Sequence, residues 1–139
     1  MKVNELFYCF ILRKGASNLT LIYDKALSSA GIRVTQYALL KYIYLLSSPN
    51  LNQLATALNQ NRSTVGRNIK ILERIKLVSL KVGKDKRQIE IILTEHGLNT
   101  LHKARKAWEV MNKTISSKLG KEKQKQLIEL MNDIKAISL

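Results

Sequence analysis

Apolar residues in the first part of the chain recur at intervals of three and four, the spacing of an α-helix with one buried face. Such a face runs through residues 4–27 and carries Cys9, Leu12, Ala16, Leu19 and Tyr23. Gly31 marks the predicted stop, because glycine readily adopts the left-handed conformation found just beyond helix ends. A second helix is predicted from Val34 to Leu46, with an inward face made of Leu39, Leu40, Ile43 and Leu46.

The next two predicted helices are separated by a short polar break. They follow a turn at residues 47–50, where Pro49 interrupts the helical pattern. Asn52 and Asn61 are the predicted caps, because an Asn side-chain oxygen accepts a free backbone N–H at a helix start. The helices end near Leu58 and Arg74, with inward faces made of Leu54, Ala55 and Leu58, and of Val65, Ile69 and Leu72. Two helices joined by such a turn form a helix-turn-helix.

After residue 77 the hydrophobic period changes from 3.6 to 2, which indicates β-strands. Two runs show this alternation, with apolar positions at Val78, Leu80 and Val82, and at Ile89, Ile91 and Leu93. The charged segment 83–88 is the predicted hairpin tip between them. A hairpin that follows a helix-turn-helix is the element order of a winged helix.

The C-terminal part of the chain predicts two more amphipathic helices. Thr94 is a candidate cap for the first, and Gly120 interrupts the helical pattern between them. Their apolar stripes, like that of the first helix, lack a partner in one small domain, because the winged-helix core should be self-sufficient. Large exposed apolar surfaces mark interfaces, so we expect a symmetric homodimer. The alternative is that these helices fold back onto their own core.

The predicted fold class is therefore mainly α with a small β-hairpin wing. Residues 1–139 form a single chain unit, in which residues 34–93 make the winged helix-turn-helix region. Residues 4–30 and 95–138 supply the dimerisation helices that flank it. The length of 139 residues suffices for a real core without disulfides, and the single cysteine fits a reducing compartment.

Charge narrows the possible partners. The net charge of +14 points to nucleic acid or an anionic membrane surface. Residues 62–87 hold nine Lys and Arg against two acids, so half of the excess positive charge lies in the second helix of the helix-turn-helix and in the hairpin. The apolar run at residues 6–12 is far shorter than the roughly 18 residues that span a bilayer. Its basic residues follow it instead of preceding it, which predicts a cytoplasmic helix and not a secretory signal.

Three segments resemble the MarR family of transcriptional regulators, over about residues 5–138. They are GIRVTQYALL at 31–40, the helix-turn-helix at 51–78, and DKRQIEIILTEHG at 85–97. The last matches the family's wing signature, D-x-R, five residues, L-T-x-x-G. The chain departs from the family pattern at Lys76, where Gly is usual, at Gln60, where an apolar residue is usual, and at Arg33, where a capping Thr is common. Lys76 is expected to need a left-handed backbone that costs about 1 kcal/mol.

The resemblance implies double-stranded DNA as the partner. The exposed start of the second helix of the helix-turn-helix carries chemistry suited to a major groove, since Arg can bind guanine, Asn can bind adenine, and Ser or Thr can bind base edges or phosphates. The candidate residues there are Arg62, Ser63, Thr64, Arg67 and Asn68. By the family pattern, Arg87 enters an adjacent minor groove, while Lys84 and Lys86 contact phosphates.

Asp85 is an acid at an otherwise basic hairpin tip. One interpretation is that its carboxylate holds the Arg87 guanidinium in the orientation that the groove requires. The other is that Asp85 forms the turn, since Asp suits tight turns. Both can hold together.

The resemblance also implies a homodimeric repressor of a palindromic operator, relieved by a small aromatic or phenolic ligand. Tyr37, Tyr42, Tyr44 and Trp108 are candidate ligand contacts, although each also suits a plain core position. A second possible switch is oxidation of Cys9 with Tyr23, as in some members, but Val34 stands where those sensors use another Tyr. The alternative for Cys9 is a small buried hydrophobe.

Other function classes have weaker support. His96 and His102 lie six residues apart, a poor spacing for one helix face, so we expect no metal site, and the sequence indicates no cofactor. No arrangement of nucleophile, base and acid predicts an enzyme. Two alternatives share the basic charge: an architectural DNA-binding protein without sequence preference, and a winged helix used for protein contacts.

Overall fold

The computed structural model describes residue 2 and residues 5–137. Its helices are α1 (Tyr8–Leu27), α2 (Val34–Leu45), α3 (Leu51–Leu58), α4 (Arg62–Arg74) and α5 (Glu95–Lys135), with a short 3-10 turn at Ser28–Ala30. Its strands are β1 (Val78–Val82) and β2 (Ile89–Leu93), so the predicted class, mainly α with a hairpin wing, is confirmed. The predicted outer bounds at residues 4 and 138 lie outside the described residues. No helix of the described part is long and apolar enough to cross a membrane.

The second helix follows the predicted pattern with one exception, whereas only Tyr23 of the predicted face of α1 is partly covered in the single chain. Gly31 has a φ of 75° after the 3-10 turn, which confirms it as the stop. Leu39, Leu40 and Ile43 are buried, but the predicted inward position of Leu46 is wrong, since its side chain is 40% exposed. The reason is that α2 ends at Leu45, and the chain then turns outward through two serines with positive φ.

The helix-turn-helix has a different first cap from the predicted one. Asn50, not Asn52, precedes α3: its Oδ1 accepts from the N–H of Gln53 at 2.8 Å, and Gln53 Oε1 accepts from the N–H of Asn50 at 2.9 Å. This reciprocal pair satisfies two N–H groups at once, which Asn52 inside the first turn cannot do. Asn59 ends α3 in the left-handed conformation, and Asn61 caps α4 as predicted.

The hydrophobic core extends beyond the winged region. Leu54, Val65 and Leu72 fill its centre as predicted, but the expectation of a self-sufficient core is wrong. Outside residues 34–93, the same cluster of buried side chains contains Leu27, Ile32, Leu101 and Ala104. The helix-turn-helix is too thin to cover its own apolar face, so the end of α1 and the start of α5 complete the core.

The wing is an antiparallel hairpin in which Val78 pairs with Leu93 and Val82 with Ile89. Its base is buried and its tip protrudes, with Val82 61% exposed. The N–H of Ile91 also donates to the carbonyl of Pro49 at 2.8 Å, so the turn before α3 adds a third backbone segment beside β2.

The ends of the long helices lack partners among the described residues of their own chain. Gly120, with a φ of 78°, interrupts α5 as predicted, and the Gln124 side chain donates to the carbonyl of Ser116 at 2.8 Å across the kink. Every residue from 121 to 137 is exposed except Gln124, and so is every residue of α1 from Tyr8 to Leu19. These two segments therefore do not fold back onto the core, which removes that alternative for them.

Lys76 has a φ of 63°, which confirms the expected left-handed backbone between α4 and β1. Replacing it by Gly should raise the free energy of unfolding by about 1 kcal/mol, because Gly adopts this conformation without a Cβ clash. Denaturant unfolding at one fixed protein concentration measures the change.

Lys76→Ala is the matched control for this prediction. It removes the same charge but keeps a Cβ, so it should give no such gain. Equal stabilisation by Gly and Ala would show that the gain comes from removing the positive charge and not from relieving backbone strain.

Candidate nucleic-acid interface

The start of α4 presents polar side chains while its other face anchors it. Arg62, Ser63 and Arg67 are exposed, and Thr64 and Asn68 are partly exposed. The opposite face is fixed in the core by Val65, Ile69 and Leu72. Arg67 donates to the Thr64 hydroxyl at 3.4 Å, so these two predicted contacts touch on adjacent turns. All five predicted residues of this helix thus lie near its solvent-facing N-terminal end.

The wing tip is a closed loop. The N–H of Gly83 donates to the carbonyl of Gln88 at 2.9 Å, and the N–H of Gln88 donates to the carbonyl of Asp85 at 2.9 Å. Lys84, Lys86 and Arg87 are exposed around it. The loop therefore has a defined backbone and carries three exposed cationic side chains.

Asp85 does not hold the guanidinium of Arg87. Its Oδ1 accepts from the backbone N–H of Arg87 at 3.1 Å, and within the described residues it forms no ion pair. The orienting interpretation is wrong for this structure, and the turn-forming one is confirmed. The reason is local geometry: an Asp oxygen reaches the N–H two residues later, which makes an Asx-turn, before it can reach a long side chain.

A second contact ties the loop to the helix-turn-helix. Asn50, which caps α3, donates through Nδ2 to Gln88 Oε1 at 3.3 Å. Together with the bond from Ile91 to Pro49, this contact fixes the wing against the start of α3. Sequence reasoning missed both Asn50 and Gln88, and the N-x-x-Q spacing of the capping box is the signal that identifies Asn50.

A cleft of about 280 Å³ separates α4 from the wing. Arg62 lines it from the helix, Arg87 lines it from the loop, and Lys70 adds a third cation. Its apolar lining is Leu51, Ile69, Leu80, Ile89 and Ile91. Arg62 of α4 and Arg87 of the wing tip therefore border one continuous surface.

Another cleft, of about 230 Å³, lies between α2 and α5. It is lined by three predicted ligand candidates, Tyr37, Tyr44 and Trp108, whereas Tyr42 packs against the core. Sequence reasoning missed its charged lining, which consists of Lys41, His102, Arg105 and Glu109. Helical spacing indicates the aromatic residues, but it does not show that charged residues of two separate helices meet.

Trp108 lies near two tyrosine rings and one lysine at this second cleft. The ring of Tyr37 lies 5.9 Å from it, the ring of Tyr23 stacks at 6.2 Å, and Lys41 Nζ lies 5.3 Å from its centroid. A cation over an aromatic face is attracted by the ring quadrupole. Arg105 and Glu109 form an exposed ion pair at 2.9 Å beside it.

Two tyrosines around Trp108 have altered acidity. Burial raises the pKa of Tyr37 above its usual value; the nearby Arg105 lowers that pKa, and Glu109 raises it. Burial also raises the pKa of Tyr23, whose hydroxyl donates to Asn112 Oδ1 at 2.6 Å. Both phenols therefore stay protonated at neutral pH.

The two redox candidates are far apart in one chain. Cys9 is exposed near the start of α1, and Tyr23 lies fourteen residues later on the same helix. At 1.5 Å per residue this separation is roughly 21 Å. The expectation of a buried Cys9 is wrong for the single chain. Within the described residues, no group of three or more His, Cys, Asp and Glu could hold a metal ion.

The sequence was compared with protein-family models and with curated proteins, and neither comparison found a match. Solved structures do match. The M. tuberculosis transcriptional regulator MosR in complex with DNA is 28% identical, with a TM-score of 0.80 over 94% of this chain and 98% of that one. The S. aureus MepR–DNA complex is 25% identical, with a TM-score of 0.81 over 95% and 98%. PcaV from Streptomyces coelicolor, in complex with its natural ligand, is 18% identical, with a TM-score of 0.83 over 97% and 95%.

The fold and these neighbours define the class of protein. A helix-turn-helix with a hairpin wing, flanked by long helices at both ends, is the arrangement of the MarR-family regulators that it matches over nearly its whole length. The chain has the winged-helix fold of these MarR-type regulators, as the sequence motifs predict. The neighbours named above are regulators, which agrees with the predicted absence of enzymatic activity.

Proposed function

We propose that the protein is a homodimeric, sequence-specific DNA-binding repressor of a palindromic operator. The observation that carries this proposal is that Arg62 and Arg87 line the same cleft. Arg62 comes from α4, the proposed recognition helix, and Arg87 comes from the wing. Two arginines on one surface suit a duplex whose major and minor grooves lie side by side. The DNA complexes of MosR and MepR support this use of the fold.

The side chains divide into those that read bases and those that hold the backbone. Arg67 and Asn68 on α4 can form paired hydrogen bonds with guanine and adenine, respectively. Arg87 suits a narrow minor groove, where the negative potential is enhanced. Lys84 and Lys86 add affinity through phosphates without reading sequence.

Exposed apolar helix ends support the homodimer. The segment after Gly120 is helical to Lys135, yet in the single chain almost none of it is covered. Its large exposed apolar residues are Leu127, Ile128, Leu130, Met131, Ile134 and Ile137. Those of α1 and the residue before it are Phe7, Tyr8, Phe10, Ile11, Leu12, Leu19, Leu21 and Ile22. Apolar surface of this extent marks an interface, and a second copy covers both segments symmetrically.

The cleft around Trp108 is the proposed effector site. It combines aromatic walls with Lys41 and Arg105, which suits a small aromatic or phenolic ligand that carries negative charge. It lies between the winged region and α5, so a ligand there can alter their relation and weaken DNA binding. PcaV is described with its natural ligand, which supports ligand control on this fold. A DNA target also implies a cytoplasmic location for the protein.

Oxidation of Cys9 is the second candidate for release. The observation in its favour is that Cys9 lies on the part of α1 that the proposed dimer covers, so oxidation of its thiol would alter that contact. A peroxide-treated sample in the binding experiment below separates the two: release by oxidant that Cys9→Ser abolishes supports the redox switch.

Arg67→Ala and Arg87→Ala should each weaken binding to the selected operator by about 10- to 100-fold, equivalent to 1–3 kcal/mol, because each removes a contact that reads the DNA. Binding to random DNA should fall much less. Fluorescence anisotropy with both duplexes at several salt concentrations gives the specific and non-specific affinities.

Two matched variants control this measurement. Lys84→Ala, in the same loop, should weaken binding to both duplexes alike and reduce the salt slope by about 1. Arg74→Ala, at the far end of α4, should change specificity little. Equal losses on operator and random DNA for Arg67→Ala and Arg87→Ala would favour an architectural protein, and no loss on either would favour a protein-contact role.

Asp85→Asn and Asp85→Ala should differ in DNA affinity. Both remove a negative charge from the basic tip, but Asn retains a side-chain oxygen for the N–H of Arg87, whereas Ala leaves the turn without it. Asn should therefore bind operator at least as tightly as the native chain, and Ala about 5- to 10-fold less tightly than Asn, for one lost hydrogen bond. Identical affinities of the two variants would mean that the turn does not position Arg87.

A further inference from the structure

The hydroxyl of Thr94 joins two parts of the molecule. It donates to the carbonyl of Lys76 at 2.7 Å and accepts from the N–H of Gly97 at 2.9 Å. A hydroxyl can donate one hydrogen bond and accept others, so both bonds form together. The backbone N–H of Thr94 adds a third bond, to the carbonyl of Leu77 at 3.1 Å. The first turn of α5 is thus attached to the junction between the recognition helix and the wing.

Gly97 permits this attachment sterically. A Cβ at this position would lie 1.9 Å from the carbonyl oxygen of Leu77, and contacts under 3.0 Å essentially never occur. Because the obstacle is backbone, any larger residue would push α5 away by about 1 Å or more. Gly97 therefore sets how closely α5 approaches the junction.

The junction is itself fixed to the recognition helix. The N–H of Leu77 donates to the carbonyl of Leu72 at 2.9 Å, and the N–H of Lys76 donates to the carbonyl of Glu73 at 3.0 Å. Hydrogen bonds therefore run without a break from the end of α4, through residues 76 and 77, to Thr94 and Gly97. The α4–α5 angle is therefore held by backbone hydrogen bonds and by one short side chain, that of Thr94.

We propose that Thr94 and Gly97 are positioning residues that fix the angle between the recognition helix and α5. Because α5 leads to the proposed dimer contact, this angle determines how far apart the two recognition helices of a dimer stand. The pair then sets the spacing between half-sites that the protein accepts. This inference rests on the proposed function, since it needs a dimer bound to DNA.

Substitutions at Thr94 separate this role from simple helix capping. Thr94→Ser keeps both hydroxyl bonds. Thr94→Asp still accepts from the N–H of Gly97, and so still caps α5, but a carboxylate cannot donate to the carbonyl of Lys76. Thr94→Val has nearly the same shape and loses both bonds. Circular dichroism first establishes which variants fold. If Thr94→Val does not fold, Thr94→Asp is used in its place.

The DNA experiment compares the operator with duplexes that carry one or two extra base pairs between the half-sites. The native chain and Thr94→Ser should prefer the natural spacing by the same factor. The preference for the natural spacing should fall at least tenfold in Thr94→Asp and Thr94→Val, because the two recognition helices can then adopt other separations. An unchanged spacing preference in a folded Thr94→Asp or Thr94→Val would overturn the proposal.

A distance measurement without DNA tests the attachment separately. Spin labels at Lys81→Cys on the wing and Lys113→Cys on α5, in a Cys9→Ser chain diluted with unlabelled protein, report the distance within one chain. The distribution should be narrow with the native Thr94 and with Thr94→Ser, broader with Thr94→Val, and displaced with Gly97→Ala. Unchanged distributions would overturn the fixed angle, even if the protein binds its operator. If the native distance distribution is narrow but the protein shows no preference for operator DNA, the proposed function and the spacing role are both overturned. The attachment of α5 to the junction would still hold.

Discussion

The two-residue junction between the recognition helix and the wing determines how the exposed cations are arranged. Lys76 takes the left-handed conformation that turns the chain sharply from α4 into β1, and Leu77 is buried directly after it. The N–H of Leu77 binds α4 and its carbonyl binds the residue that caps α5. Helix and wing cannot reorient independently around such a junction, so Arg62 and Arg87 keep a fixed relation on one surface.

The rest of the chain separates two kinds of surface. Basic residues concentrate on α4 and the wing, whereas uncovered apolar residues concentrate at the start of α1 and beyond the kink in α5. From Glu95 to Leu119, α5 covers roughly 38 Å at 1.5 Å per residue, so it spans the distance between them. Its first turns belong to the central core through Leu101 and Ala104. Helix α5 therefore connects the two surfaces by way of the central core.

Features that depend only on neighbouring residues could be predicted from the sequence. The strands begin and end at the predicted residues, because alternation and a charged tip fix them together. Asn61, Thr94 and Gly120 have the predicted roles, since caps and breaks depend only on neighbouring backbone. Where two local solutions competed, prediction failed: Asn50 was preferred over Asn52 by its reciprocal bond with Gln53, and Asp85 binds a backbone N–H instead of a guanidinium.

Features that join distant segments could not be predicted in this way. Periodicity shows that the α5 residues Leu101 and Ala104 face inward, but not that they complete the core of the winged region. The cations around Trp108 come from two helices, and the sequence of neither helix indicates that the other lies beside it. The L-T-x-x-G motif could be recognised, yet its physical reason, a close approach of two backbones, appears only when Leu77 is seen beside Gly97.

Footprinting on DNA selected from a random pool tests the central claim most directly. If α4 and the wing of a homodimer read DNA together, the protein should protect a palindrome whose half-site centres lie about 34 Å apart or a multiple of that distance. Each half should show major-groove contacts flanked by minor-groove contacts. Uniform protection of all sequences, with no enrichment in the selected pool, would contradict the account.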